Sequence, residues 1–294
     1  MNDHVLAGNG VALVTPFKED LSIDFEALEN IINHIIDGGA GFIVVLGTTG
    51  EASLMSTQER LSVISFVRDR VAGRLPLVLG YGGIGTQRMI DEFSLYDFSG
   101  YEAILTVTPF YVKPSQNGLF EHYTAIAKAS PRPVILYNVP GRTGVNMEPD
   151  TTLALAENPN IIGVKEASGK LFQIEDILMR RKDGFLLFSG DDALTYHLVN
   201  LGADGVISVM ANAFPREISD IVKGSSSGDS ALADAGRDIH FNLKVLTKAV
   251  FADGNPCGIK YVLSRLGLCR NILRLPLVPV SKSTAETIDR ELNL

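Results

Sequence analysis

Eight short apolar runs rich in β-branched residues recur through the first three-quarters of the chain. They are continuous rather than alternating, which is typical of parallel strands covered on both faces. Their starts are about 20 to 35 residues apart, a spacing that suits repeated strand–helix units. The runs are Val11–Val14, Phe42–Leu46, Leu77–Leu79, Ala103–Val107, Val134–Tyr137, Ile161–Val164, Phe185–Phe188 and Gly205–Val209.

The segments between the runs have the periodicity of amphipathic helices. The first of them places Phe25, Leu28, Ile32 and Ile35 on one helical face. Asp24 directly precedes the segment and is predicted to cap the N-terminus of the helix.

This alternation predicts a single (β/α)₈ TIM barrel over residues 1–225. A doubly wound parallel sheet is the alternative. No GxGxxG motif follows the first run and polar clusters end nearly every run, and both points favour the barrel. Residues 226–294 contain no strand pattern. Their helical patterns, residues 231–251 and 258–268, predict a C-terminal helical extension.

Composition narrows the classes of function. The chain has 294 residues, 46% of them hydrophobic, which suffices for one large core. The net charge of −8 argues against binding to nucleic acid or to an anionic membrane. The N-terminus lacks the basic and apolar regions of a signal peptide, and no apolar run approaches the length of a membrane helix. We therefore expect a soluble cytoplasmic protein.

Neither cysteine nor histidine spacing indicates a metal. Cys257 and Cys269 are expected to be buried thiols rather than a disulfide. The histidines are scattered without a ligand pattern. Asp191 and Asp192 could hold a divalent cation, but adjacent carboxylates after a strand more often cap a helix. No metal site is predicted.

Lys165 is the most unusual residue in the pattern, because it continues a strand that should be buried. Burial lowers the pKa of a lysine, and its neutral amine can attack a ketone to form an imine. The alternative is a structural ion pair with Glu166 or Asp191.

Three further groups should lie on the same rim of a barrel. Tyr137 could move protons during imine formation, or simply be a rim aromatic. Thr48 and Thr49, in a glycine-flanked turn, could hold a small carboxylate, or only cap a helix. Arg142 could bind a second carboxylate, or form a surface salt bridge.

Several motifs, in this order and spacing, resemble the dihydrodipicolinate synthase family of pyruvate-dependent class I aldolases, to which N-acetylneuraminate lyase also belongs. The similarity covers essentially the whole chain. The motifs are Gly47-Thr-Thr-Gly-Glu51, Tyr137-Asn-Val-Pro-Gly-Arg-Thr143, Lys165-Glu-Ala-Ser168, Ser189-Gly-Asp-Asp192, Gly205-Val-Ile-Ser208, Asn255-Pro256 and Leu275-Pro-Leu-Val-Pro279.

The resemblance implies condensation of pyruvate with L-aspartate 4-semialdehyde to 4-hydroxy-tetrahydrodipicolinate, in lysine and diaminopimelate biosynthesis. It implies a Schiff base on Lys165 and no separate cofactor. The remaining implied roles are proton donor and acceptor for Tyr137, a hydroxyl relay through Thr48 and Tyr111, pyruvate contacts from Thr49 and Ile207, a pocket wall at Gly190, and an aldehyde-substrate clamp at Arg142.

The same resemblance implies an assembly. Tyr111 would enter the site of a neighbouring subunit, so at least a tight dimer is expected, and a homotetramer built as a dimer of dimers is typical. The alternative activity is a sugar-acid aldolase of the N-acetylneuraminate lyase or 2-keto-3-deoxy sugar acid type. Arg142 favours the synthase, since it suits a short substrate that ends in a carboxylate.

Lysine-inhibited members of the family place polar and acidic groups in a cleft between subunits. Phe110 lacks the expected hydroxyl, and Arg88 reverses the charge that would meet the amino group of lysine. We therefore expect weak lysine inhibition or none. The positions concerned are Thr57, Arg60, Ile84, Arg88 and Phe110.

Overall fold

Eight parallel strands close into a barrel in which every strand pairs with its neighbours in chain order. The structure, a computed structural model, describes residues 4–294. The predicted (β/α)₈ class is confirmed. The strands are β1 Gly8–Ala12, β2 Phe42–Val45, β3 Leu77–Gly80, β4 Ala103–Val107, β5 Val134–Asn138, β6 Ile161–Glu166, β7 Leu186–Ser189 and β8 Gly205–Ser208.

Helices surround the barrel and continue beyond it. Asp24 accepts a hydrogen bond from the backbone N–H of Ala27, as predicted for the first N-cap. None of the helices in residues 4–294 is long and apolar enough to cross a membrane. The helices are α1 Phe25–Asp37, α2 Thr57–Val71, α3 Thr86–Glu92, α4 Gln116–Ala129, α5 Pro140–Thr143, α6 Pro149–Ala156, α7 Leu171–Arg180, α8 Thr195–Asn200, α9 Pro215–Ser226, α10 Ser230–Asn242, α11 Lys244–Ala252, α12 Cys257–Arg265 and α13 Lys282–Glu291.

The first strand differs from its prediction. It occupies Gly8–Ala12 rather than Val11–Val14. A Cβ atom on Gly10 would lie 2.2 Å from the Phe42 ring, so position 10 has no room for a side chain where β1 packs on β2. Close packing here requires glycine, a residue that strand propensities disfavour. Strand propensities therefore placed the predicted strand at Val11–Val14, after the glycines.

The apolar side chains form two cores, as a barrel requires. One core fills the space between the strands and the outer helices. The other fills the barrel interior, where Phe42 and Phe188 meet edge to face with ring centroids 5.6 Å apart. Tyr137 and Ile207 belong to this inner core and lie near the carboxyl ends of β5 and β8, at the end of the barrel that is called the upper rim below.

The C-terminal extension contains four helices, α10 to α13. The predicted helical pattern 231–251 is interrupted at Leu243, so it forms two helices. Helix α13 was not predicted, because its composition is largely polar and only Thr284 and Ile288 are buried. Both cysteines are free thiols; Cys257 is buried and Cys269 is half-buried.

A buried ion pair joins the extension to the barrel. The Lys260 ammonium donates to the Glu51 carboxylate, and both side chains are fully buried. Lys260 also donates to the carbonyl of Ile272 at 2.9 Å, and the backbone N–H of Arg274 donates to Glu51 at 3.2 Å. Because Glu51 ends the turn after β2, this pair anchors that turn to α12.

We predict that Lys260→Met lowers the free energy of unfolding by about 3–5 kcal/mol, because it leaves the Glu51 carboxylate buried without its cation. Urea titration followed by circular dichroism measures the loss. The control is Lys282→Met, which removes the exposed Lys282–Glu286 pair of 3.7 Å and should leave the urea midpoint in place. Equal midpoints for the two variants would contradict the prediction.

Candidate active site

Lys165 and Tyr137 lie side by side at the upper rim of the barrel. They are register partners on β6 and β5. The Lys165 Nζ atom lies 4.5 Å from the centroid of the Tyr137 ring. Lys165 is only 5% exposed and Tyr137 8%. The pair that sequence reasoning placed on neighbouring strands is therefore in contact in the fold.

The Lys165 amine has a strongly altered proton affinity. Burial lowers the pKa of Lys165 to about 8, the Asp192 carboxylate opposes that effect, and the Arg142 charge lowers the pKa slightly further. No carboxylate of residues 4–294 lies within ion-pairing distance of Lys165. About a tenth of the amine is therefore neutral at pH 7, far more than for an exposed lysine, and the neutral form is the nucleophile.

The two structural partners considered for Lys165 are engaged elsewhere. Glu166, the next residue on β6, faces the opposite side of the strand. Its carboxylate accepts from Asn138 at 3.1 Å, from Gln173 at 3.0 Å and from the Ser168 N–H at 2.7 Å. Asp191 caps the following turn by accepting from the Ala193 N–H at 2.9 Å. Neither carboxylate pairs with the amine.

The Asn138–Glu166 contact also supports the site from behind. Asn138 follows Tyr137 as Glu166 follows Lys165, and each pair of neighbours points to opposite faces of the strands. The amide of Asn138 therefore fixes the ends of β5 and β6 together on the outer face, while Tyr137 and Lys165 meet on the inner face. Sequence reasoning had assigned no role to this contact.

In the turn after β2, the Thr48 hydroxyl interacts with Tyr137 and the Thr49 hydroxyl with Asn255. Burial raises the pKa of Tyr137, while a hydrogen bond with the Thr48 side chain opposes the rise. The next residue, Thr49, is buried and accepts from the Asn255 amide at 2.9 Å. Thr48 is thus in the hydrogen-bonding network of Tyr137, and Thr49 is held in place by the C-terminal extension.

Arg142 borders the site from the one-turn helix α5. It makes no ion pair with any carboxylate of residues 4–294, contrary to the surface salt-bridge alternative. Its guanidinium donates to the Asn255 carbonyl at 3.3 Å. Asn255 thus contacts both predicted carboxylate-binding residues, Arg142 and Thr49. The side-chain oxygen of Asn255 is buried and has no hydrogen-bond partner within the described chain. In the sequence, Asn255 stood out only as part of the Asn255-Pro256 motif of the family resemblance.

Gly190 and Ile207 line the pocket around the amine. A Cβ atom at position 190 would lie 3.1 Å from Lys165 Cε and 2.7 Å from Ala167 Cβ. The lysine side chain therefore lies against the bare backbone of Gly190. Ile207 is buried on β8, inside the barrel.

The Tyr111 side chain lies outside the cluster of buried site residues of its own chain. Its side chain is 87% exposed. Its φ of 69° lies in the left-handed region, which is uncommon for an aromatic residue. This protruding conformation contrasts with the buried positions of Tyr137 and Lys165.

The site contains no cluster typical of a metal centre. No group of three or more His, Cys, Asp or Glu side chains in residues 4–294 is arranged to hold an ion. Asp192 accepts from the Ser208 hydroxyl and from the N–H groups of Val209 and Met210, and so caps the turn after β8. Neither aspartate caps helix α8, whose N-cap residue is Leu194; both carboxylates instead hold turns, Asp191 its own loop and Asp192 the turn after β8.

Comparisons with known proteins agree with this geometry. The sequence model of the dihydrodipicolinate synthetase family matches residues 6–294. A 4-hydroxy-tetrahydrodipicolinate synthase from Parabacteroides distasonis is 48% identical over 289 residues, which cover 98% of this chain and 96% of the relative.

Solved structures give the same result. The dihydrodipicolinate synthase of Thermotoga maritima superposes with a TM-score of 0.94 at 36% identity, over 99% of this chain and 98% of that one. A structure described as the first monomeric dihydrodipicolinate synthase variant gives a TM-score of 0.93 at 34% identity, over 98% and 96% of the two chains. By its sequence along nearly its whole length, and by its fold, this chain belongs to the dihydrodipicolinate synthetase family.

Proposed function

We propose that this chain is an enzyme that condenses pyruvate with L-aspartate 4-semialdehyde to 4-hydroxy-tetrahydrodipicolinate, in lysine and diaminopimelate biosynthesis. The observation that carries the proposal is the buried Lys165 amine, unpaired and in contact with Tyr137. The names of the relatives that match along nearly the whole chain support the choice of substrates.

Pyruvate would react first. The neutral Lys165 amine attacks the ketone carbon, and the carbonyl oxygen leaves as water after it takes up protons. Tyr137, hydrogen-bonded with Thr48, is placed to deliver and remove those protons. Thr49 and the backbone at Ile207 would hold the pyruvate carboxylate and carbonyl region.

The second substrate would then add. Loss of a methyl proton turns the protonated imine into an enamine, whose carbon attacks the aldehyde of aspartate semialdehyde. Arg142 would bind the carboxylate of that substrate, since its guanidinium is free of acidic partners in the described chain. The imine on Lys165 is itself the electron sink, so the mechanism uses no separate cofactor. The amino group of the added substrate then attacks the imine carbon, and the bond between that carbon and the Lys165 nitrogen breaks, so the ring of 4-hydroxy-tetrahydrodipicolinate closes and the lysine is regenerated.

We also propose that the working unit is at least a tight dimer, assembled further as a dimer of dimers. A tyrosine that is 87% exposed suits insertion into a neighbouring subunit, where Tyr111 would complete the hydroxyl relay of Thr48. A monomeric variant of a dihydrodipicolinate synthase has the same fold, so the barrel itself does not depend on assembly. A cytoplasmic location is in keeping with the two free thiols.

We predict that borohydride reduction with pyruvate attaches one reduced pyruvate to Lys165. Among the lysines of residues 4–294, Lys165 is the one that is buried without a carboxylate partner, so its amine can attack as the neutral form. Intact mass and peptide mapping locate the adduct. The Lys165→Met variant should give no adduct. In the wild type, Lys260 should stay unmodified because its ammonium is held in the ion pair with Glu51. An adduct on another lysine, or none in the wild type, would defeat the proposal.

We predict that Arg142→Leu raises the KM for aspartate semialdehyde about 10- to 100-fold, the range expected for one charge-assisted hydrogen bond. Trapping of pyruvate on Lys165 should persist, because that step does not need Arg142. The KM is measured by steady-state kinetics at a pH above the pKa of Lys165. The control is Arg237→Leu, which removes an exposed arginine paired with Asp234 at 2.8 Å. Turnover of N-acetylneuraminate in place of aspartate semialdehyde would support the sugar-acid alternative.

We predict that lysine inhibits the enzyme weakly or not at all. Arg88 pairs with Glu92 at 2.7 Å and keeps its side chain 81% exposed, so it presents positive charge to an incoming ammonium group. Phe110 offers no hydroxyl. A steady-state assay with added lysine measures the effect, and half-inhibition at sub-millimolar lysine would refute the expectation.

A further inference from the structure

We propose that Asn255, in the C-terminal extension, is a positioning residue for the pyruvate site. Its side-chain amide holds the oxygen of the Thr49 hydroxyl, so that the hydroxyl hydrogen stays available to donate to the carboxylate of pyruvate. The inference rests on the proposed function, because it concerns the first substrate that this function requires.

The contact joins two buried side chains from distant parts of the chain. Asn255 is 7% exposed and Thr49 is 2% exposed. The Asn255 Nδ2 atom donates to Thr49 Oγ1 over 2.9 Å, across 206 residues of sequence. Burial shields this hydrogen bond from competing water, so it can hold the Thr49 side chain in one orientation.

The direction of this hydrogen bond decides what the Thr49 hydroxyl can do next. A hydroxyl has one hydrogen to donate and two lone pairs that accept. The amide N–H of Asn255 occupies one lone pair, so the hydroxyl hydrogen must point away from the amide. No oxygen of residues 4–294 accepts that hydrogen. A carboxylate bound in the pocket is the kind of acceptor that this donor lacks.

The turn that carries Thr49 depends on anchors from outside. Glu51, two residues later, has a φ of 56°, in the left-handed region that is unfavourable for a residue with a Cβ atom. Thr15 donates to the Gly50 carbonyl at 2.8 Å, and Glu51 is held by its ion pair with the extension. Those contacts fix the ends of the turn, whereas Asn255 contacts the Thr49 hydroxyl itself. Asn255 is thus the residue that orients this hydroxyl.

Asn255 can act as a fixed donor because its own loop, between α11 and α12, is anchored. The Asp253 carboxylate accepts from the backbone N–H and from the hydroxyl of Ser281, each at 2.8 Å. The backbone carbonyl of Asn255 accepts from Arg142 at 3.3 Å. The loop is therefore tied both to α13 and to the rim of the active site.

The other half of the same amide argues against a role in packing alone. The Asn255 Oδ1 atom is buried and has no hydrogen-bond partner in residues 4–294. A buried acceptor without a partner costs free energy, and a leucine of nearly the same shape would avoid that cost. The asparagine is therefore better explained by its N–H donor than by the stability of the loop.

Asn255→Leu removes the donor to Thr49 and keeps the shape of the side chain. The hydrogen bond from Arg142 should remain, because it goes to the backbone carbonyl. Asn160→Leu is the matched control. It makes the same change at the amino end of β6, where the Asn160 amide donates to the Ala127 carbonyl at 2.7 Å.

The decisive measurement is the pyruvate concentration that gives half of the maximal adduct on Lys165 after a fixed, short exposure to borohydride, read by intact mass. We predict that N255L raises this concentration about tenfold, the weakening expected when one hydrogen bond to a carboxylate loses its alignment. N160L should leave it within about twofold of the wild type. At saturating substrates, kcat of N255L should change by less than about threefold, because the reacting amine is untouched.

A double-mutant cycle separates this role from a general loosening of the loop. Thr49→Val removes the hydroxyl through which Asn255 is proposed to act, so N255L should add less than about twofold to the effect of T49V. Thr49→Ser retains the hydroxyl, so in that background N255L should again raise the half-saturating concentration about tenfold.

An N255L half-saturating concentration equal to that of the wild type would overturn the inference. Effects of N255L and T49V that multiply would overturn it as well. Either result would leave the proposed function intact, because the adduct on Lys165 still forms. Absence of any adduct in the wild type would instead defeat the proposed function, and this inference with it. Circular dichroism checks the fold of each variant, and should N255L unfold, Asn255→Ala takes its place with the same expected shift, since alanine also lacks the donor.

Discussion

Burial of the Lys165 amine is the constraint on which the upper rim of the barrel depends. An ammonium group loses its hydration inside a barrel, and the usual remedy is an ion pair. Here the nearest carboxylates are committed to other donors, and the pKa falls instead. Two neighbours accommodate a lysine that is partly neutral: the Tyr137 ring against its nitrogen and the Gly190 backbone along its side chain.

The contrast with Lys260 shows how local geometry decides what a buried lysine does. Lys260 is also fully buried, yet Glu51 and a backbone carbonyl satisfy its ammonium, so it serves as a cross-link between the barrel and α12. Lys165 lies on strand β6 beside the pocket, and no carboxylate of residues 4–294 forms an ion pair with it. Burial lowers the pKa of both lysines, but only Lys260 has a carboxylate in direct contact, and the difference lies in the partners that the fold provides.

Most of the barrel and much of the candidate site could be predicted from the sequence, because both follow from local pattern. Apolar runs mark seven of the strands closely, and strand order alone brings Tyr137 next to Lys165. Strand β1 was misplaced, because its glycines are required by packing against Phe42 rather than by strand propensity. Asn255 was given no role at the site, since its contacts with Thr49 and Arg142 join segments that are far apart in the sequence. The polar helix α13 lacks the apolar stripe that would have marked it.

The turn after β2 has a further consequence for how the protein is made. Its Thr49 hydroxyl is bonded to Asn255, 206 residues later, and its Glu51 carboxylate to Lys260, 209 residues later. Synthesis proceeds from the N-terminus, so the barrel strands leave the ribosome well before the segment that secures this turn. A nascent chain can therefore close its sheet while its pocket is still unfinished. The pocket wall at Thr49 can be secured only once residue 255 has been synthesised.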